Sequence, residues 1–151
     1  MESVLAIVTT TVVGLMVGVE FAVALIMNPI ILAMPGEAAL SEPRAKGSRT
    51  MGRVMPFWYL GSLILTVALA VTTWGTPASS AALAAAVLLV VSVILSVTLL
   101  VPINNRSTMW TPDDHPADWR EQLRRWDRLH YARVALIVAA FILVATAVAL
   151  L

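Results

Sequence analysis

The segment 131–151, YARVALIVAAFILVATAVALL, holds a single charged side chain, Arg133, in 21 residues. About 20 predominantly apolar residues suffice to cross the hydrocarbon of a bilayer as a helix. Working outward from this segment, three more stretches meet the same requirement, 4–27, 55–74 and 81–101. The rest of the composition agrees. The chain is 60% hydrophobic and 13% charged, with a mean hydropathy of +0.88. A soluble domain carries about 25% charged residues, so most of this surface is built to meet lipid. The sequence predicts an all-α integral membrane four-helix bundle forming one domain over 1–151.

Charge placement orients the bundle. The connection 75–80 is a short Gly/Pro/Ser turn without charge, whereas the other two connections, about 29–54 and 102–130, are long and polar. Every basic residue lies in those two or at their edges: Arg44, Lys46, Arg49 and Arg53 in the first, Arg106, Arg120, Arg124, Arg125, Arg128 and Arg133 in the second. In a four-span protein these loops share a side, and the positive-inside rule puts that side in the cytoplasm. The expectation is an N-out/C-out protein of the plasma (inner) membrane. Only Glu2 precedes the first span, with no basic flank and no small-residue cleavage site after it, so that span is expected to be a retained helix rather than a signal peptide. The chain has no cysteine, which excludes disulfides, thiolate metal sites and cysteine nucleophiles.

The fourth helix is expected to begin before its span, as an amphipathic cytoplasmic extension over about 116–130. Asp113 and Asp114 offer capping oxygens and Pro116 suits a first turn. Trp119, Leu123, Trp126, His130, Arg133 and Ile137 then recur at spacings of three and four, which draws one continuous stripe. Arg120, Arg124, Arg125 and Arg128 fall on the other side, where lipid phosphates would receive them.

Several residues stand out as candidates for chemistry. Glu20 is the one charge deep within a span, eight residues before Asn28, or about 12 Å from that end. Such an acid costs about 2.5–3.5 kcal/mol to insert and faces the bundle interior. It is either the partner of a cation, Arg133 or Arg53, or a group that moves protons or binds a ligand. His130 and Arg133 share a helical face: imidazole moves protons near neutral pH, and a guanidinium stabilises an oxyanion beside it. Trp126, one turn earlier, is placed to cover an aromatic ligand. Asn28-Pro29 and Pro102-Ile103-Asn104-Asn105 are read as the ends of helices 1 and 3, each bringing amide donors and acceptors to a helix terminus, and their likeness hints at an internal duplication. His115 sits alone in a loop and is assigned no role. No metal motif has recognisable spacing, although Glu20 and His130 together would supply two ligands. No phosphate loop and no nucleic-acid module is present.

With these residues in hand, the chain resembles the anthrone oxygenase-like family of small four-helix membrane proteins. Val101-Pro102-Ile103-Asn104-Asn105 looks like the family's Pro-x-Asn break after helix 3, and Trp126, His130 and Arg133 look like its Trp, Asn or His, Arg arrangement entering helix 4. Gly14, Gly18 and Asn28-Pro29 match the first-helix pattern more loosely, and Met55-Pro56-Phe57-Trp58 resembles the start of helix 2 in some members. The resemblance implies oxidation of a polyketide-derived anthrone by dioxygen, without flavin or haem. On that reading His130 is the base, Arg133 with Asn104 or Asn105 stabilises the anion, and Trp126 stacks on the ring. Glu20 departs from the aromatic or apolar residues that the resemblance implies at its position, which sets this chain's substrate apart from the family's anthrone.

The leading expectation is therefore an oxygenase acting on a hydrophobic aromatic substrate, with catalytic His130, Arg133 and Glu20 and substrate-binding Trp126, Asn104, Asn105 and Asn28. No cofactor is expected beyond dioxygen as co-substrate. A second reading is a proton-coupled exporter using Glu20, and a third is an accessory subunit. Ser92 and Ser96, one turn apart on the Ala-rich third helix, would let that helix approach a neighbour closely, within the bundle or in a homo-oligomer.

Overall fold

The computed structural model describes residues 2–151. Four helices dominate: α1 (Glu2–Ala33), α2 (Glu42–Thr72), α3 (Pro77–Ser107) and α4 (Trp119–Ala149). All four are long and apolar enough to cross a membrane, and the described residues contain no strand. Large apolar side chains point outward along each of them, among them Leu15, Ile64, Val87 and Ile142, as expected of surface that faces lipid. α2 and α4 each have 31 residues, about 46 Å of helix. That exceeds a hydrocarbon thickness of about 30 Å, and the polar part of each, 42–54 and 119–130, lies at the end that carries the long connections.

Packing differs along the bundle axis. At the short-turn end the interior is nearly all small: Ala6, Ala70, Ala78, Ala82 and Ala147 close around Leu69, and Gly75, with φ of +83°, allows the sharp reversal before α3. The middle holds Val13, Met16, Leu89, Ile137 and Val144. Here Gly14 lets the Phe141 ring come so near that an added Cβ would stand 3.1 Å from it. Trp58 Nε1 donates to the Val12 carbonyl at 3.0 Å and ties α2 to α1. At the long-loop end a 3-10 turn, Gly36–Leu40, lays Ala39 and Leu40 on Trp119 and Leu123 of α4.

Two expectations for helix boundaries are corrected. Neither Asn28-Pro29 nor Pro102 ends its helix: α1 continues to Ala33 and α3 to Ser107. In each case a π-helical turn comes just before the proline, Val23–Met27 in α1 and Ser96–Leu100 in α3. A proline ring clashes with the carbonyl four residues back, and widening the register relieves that clash. The Asn28 N–H reaches past Ala24 to the Val23 carbonyl, and the Val101 N–H likewise reaches the Ser96 carbonyl. Pro29 has no N–H to give, so the Ala24 carbonyl is left over; the Tyr131 hydroxyl donates to it at 2.9 Å. The matching devices in α1 and α3 extend the likeness of the two Pro/Asn segments from sequence to backbone.

The start of α4 is the second correction. It begins at Trp119 with Asp118 at its cap position, not near Pro116. Thr111 and Asp114 close a turn on each other through both backbone pairs, 3.0 and 3.3 Å. That geometry holds Asp113 and Asp114 away from the helix they were expected to cap. His115 contacts Glu37 at 3.4 Å and meets the Trp119 ring edge-on, fastening this loop to the 3-10 turn.

Candidate functional site

Glu20, His130 and Arg133 come together in the bundle interior. The amphipathic stripe of α4 turns His130 and Arg133 toward α1, and the buried seam of α1 (Val13, Met16, Val17, Glu20) presents the carboxylate to them. Arg133 Nη2 donates to Glu20 Oε2 at 2.6 Å, and Nη1 donates to Ser96 Oγ at 3.2 Å, at the start of the π-helical turn of α3. The Tyr59 ring of α2 lies 5.7 Å from the guanidinium carbon. All four helices therefore contribute to the setting of one cation. Of the two partners open to Glu20 from sequence, the structure selects Arg133; Arg53 is exposed on α2.

The partners of His130 fix its tautomer. Arg133 Nη2 lies 2.8 Å from His130 Nδ1, and a guanidinium only donates, so Nδ1 offers its lone pair. Nε2 lies 3.2 Å from the backbone carbonyl of Glu20, which only accepts, so Nε2 carries the proton. Imidazole is thus neutral, with both nitrogens engaged, wholly buried and stacked beneath Trp126 at 4.7 Å and 18°. With its one lone pair turned to Arg133, this ring is placed to orient the cation.

A cavity of about 340 Å³ opens beside this group, toward the long-loop end. Glu20, Trp126 and Arg133 line it, together with Asn28, Arg44, Asn104 and Asp127 and apolar side chains such as Met27, Met51 and Met55. Three residues of the wall carry a buried polar atom without a direct hydrogen bond, Glu20 Oε1, Trp126 Nε1 and Arg133 Nε, and the Tyr59 hydroxyl lies behind them beside the Glu20 carboxylate. Unpaired buried polar atoms are uncommon in native structures, and three on the wall of one cavity make it the candidate ligand site.

The sequence of the anthrone oxygenase family matches this chain over residues 48–143, more than half of its length. The chain belongs to the anthrone oxygenase family. The matched stretch includes Asn104, Trp126, His130 and Arg133, whereas Glu20 and Asn28 lie before it. Neither a curated protein nor a solved structure matches the chain. Membership supports an oxygenase-type function at the level of the family.

Seen as an anthrone oxygenase family site, the residues expected from sequence separate into groups. Asn104 lines the cavity. Asn28 lines it too, with Nδ2 donating to Asp127 Oδ1 at 2.9 Å. Asn105 does not: it is exposed, in a separate shallow cleft with Arg49 and Arg53. Glu20 and His130 do meet, but the described residues hold no group of three His, Cys, Asp or Glu placed to share a metal ion. Tyr59, Ser96, Arg44 and Asp127 escaped the sequence reading. Tyr59 had a signal, since Met55, Tyr59, Ser62, Thr66 and Leu69 repeat at four and three residues and form the buried stripe of α2. Ser96 was noticed only as a small packing residue.

Proposed function

We propose that this chain is a membrane-embedded oxygenase that oxidises a hydrophobic, anthrone-like aromatic compound with dioxygen, and that Glu20 is the base. One observation carries the assignment. Glu20 lines the cavity with Oε2 anchored to Arg133 and the Tyr59 hydroxyl beside its carboxylate, while Oε1 makes no direct hydrogen bond, which supports a carboxylate held in place with an oxygen left for a substrate proton. A cavity of about 340 Å³ falls in the range of about 300–1,000 Å³ typical of small-molecule sites.

The chemistry needs no more than these groups and oxygen. Glu20 takes a proton from the methylene carbon between the rings, and the electron pair left behind spreads onto the ring ketone oxygen. Arg133 and Asn104 stabilise that oxyanion. The carbanion-like carbon gives its electrons to dioxygen and forms a C–O bond. The hydroperoxide then loses water, taking the second methylene hydrogen, and leaves a quinone carbonyl. One substrate and one dioxygen become one quinone and one water. Trp126 covers the ring, and His130 holds Arg133 in register.

The polar groups gather at one end of the bundle, while alanines close the other. That asymmetry favours an enzyme over an exporter, whose site must be reached from both sides. With the basic loops in the cytoplasm of an inner membrane, the substrate reaches the site from the bilayer or the cytoplasmic face. Oxygen uptake by the purified protein with a panel of anthrones is the test. Uptake proportional to protein and reduced at least about 10²-fold in Glu20→Gln, the low end for general base catalysis, is the expected result. Absence of uptake across the panel, or undiminished uptake in Glu20→Gln, would overturn it.

A further inference from the structure

Arg44 is a cation in the wrong company. It lies near the start of α2, partly buried, and lines the same cavity as Glu20. Its two terminal nitrogens donate to Ser107, Nη1 to the carbonyl and Nη2 to Oγ, both at 3.0 Å. Both acceptors are neutral, and no carboxylate among the described residues lies within ion-pair distance of it. Arg133, the other arginine lining the cavity, is paired with Glu20. Asp127, the remaining charged group on the wall, accepts from Asn28 and forms no ion pair with Arg44. A guanidinium has five N–H donors, so three remain after Ser107 is served. A charge withdrawn from water without a counter-charge is costly, and an anion that reaches it forms strong, charge-assisted hydrogen bonds.

The spacing of the two serines along α3 is informative. Arg133 is held by Ser96 and Arg44 by Ser107, eleven residues apart on α3, or about 16 Å of helix. A fused aromatic ring system with a hydrogen-bond contact at each end spans such a gap. We propose that the substrate is an aromatic carboxylate whose carboxylate is bound by Arg44 while the carbon to be oxidised lies at Glu20. This rests on the oxygenase reading for what happens at Glu20, but the anchoring at Arg44 does not depend on turnover.

Binding of anthraquinone-2-carboxylate and of its methyl ester, followed by quenching of tryptophan fluorescence in the detergent-purified protein, tests it. Both probes are already oxidised, so no reaction intervenes. The acid is expected to bind roughly tenfold or more tightly than the ester, as a hydrogen-bonded charge pair warrants. In Arg44→Gln the ratio of the two Kd values should fall to near one, and in Arg44→Lys a preference for the acid should survive. Asp127→Asn removes the neighbouring negative charge and should raise the affinity for the acid relative to the ester, which keeps the proposal testable should Arg44→Gln not fold. Equal binding of acid and ester by the native protein, an acid preference untouched by Arg44→Gln, or no relative gain in Asp127→Asn would each overturn it. If anthrones give no oxygen uptake but the acid preference follows Arg44, the oxygenase reading falls and this one stands. If uptake occurs and acid and ester bind alike, the reverse holds.

Discussion

His130 Nδ1 lies 2.8 Å from Arg133 Nη2 and so gives its lone pair to the arginine. Because the Glu20 carbonyl takes the proton on Nε2, the first helix fixes the histidine with its backbone and the arginine with its side chain. An asparagine oxygen at the same position would offer an acceptor as the imidazole Nδ1 does.

The tautomer is directly observable. Nitrogen NMR of histidine-labelled protein, assigned with His115→Gln, should show His130 with a protonated Nε2 and a bare Nδ1. A protonated Nδ1 would remove the acceptor role. By the same logic His130→Asn should retain more turnover than His130→Ala.

Breaking the buried pair should cost more than deleting it. Glu20 and Arg133 side chains are 2% and 11% exposed, and either Glu20→Gln or Arg133→Gln alone leaves an uncompensated charge, a loss of about 3–5 kcal/mol. The double variant should lose clearly less than the sum of the singles in denaturation experiments. Additive losses would mean that the two charges are independent.

Trp126 lies between His130 and the cavity. Trp126→Phe keeps a stacked ring, and Trp126→Ala does not. An aromatic contact of about 0.5–1.5 kcal/mol predicts a KM raised by up to roughly tenfold in the alanine variant and less in the phenylalanine one, with kcat changed less than KM. A fall in kcat alone would place the indole in the chemical step instead.

A Cβ at Gly14 would stand 3.1 Å from the Phe141 ring. Gly14→Val should lower stability by about 1–3 kcal/mol through overpacking, read as a lower melting temperature. Gly18, whose added Cβ would meet nothing, should accept alanine without such loss.

The four spans were legible because lipid demands length and apolarity, and both are written plainly in the residues. The stripe that brings Trp126, His130 and Arg133 together was legible for a related reason, since helical periodicity survives whatever packs against it. The helix ends were not. Asn28-Pro29 and Pro102 read as stops because a proline cannot continue an α register, and nothing in the sequence announces that a π-helical turn will absorb the mismatch. The pairing of Glu20 with Arg133 rather than Arg53 needed the third dimension, since both arginines stand near the same membrane face. Arg44 was hidden among the loop's other basic residues, and only its burial against Ser107 separates it from them.

The ion pair joins residues 113 apart, on the first and the last of the four helices. During synthesis α1 meets the bilayer long before α4 exists, and an unpaired acid at mid-helix costs about 2.5–3.5 kcal/mol to insert. Glu20 is therefore without this partner until Arg133 arrives. A chain interrupted before α4 would hold neither the cation, the imidazole nor the indole, and would leave an acid seeking a partner. The contact that anchors Glu20 is thus completed only when the last of the four helices is in place.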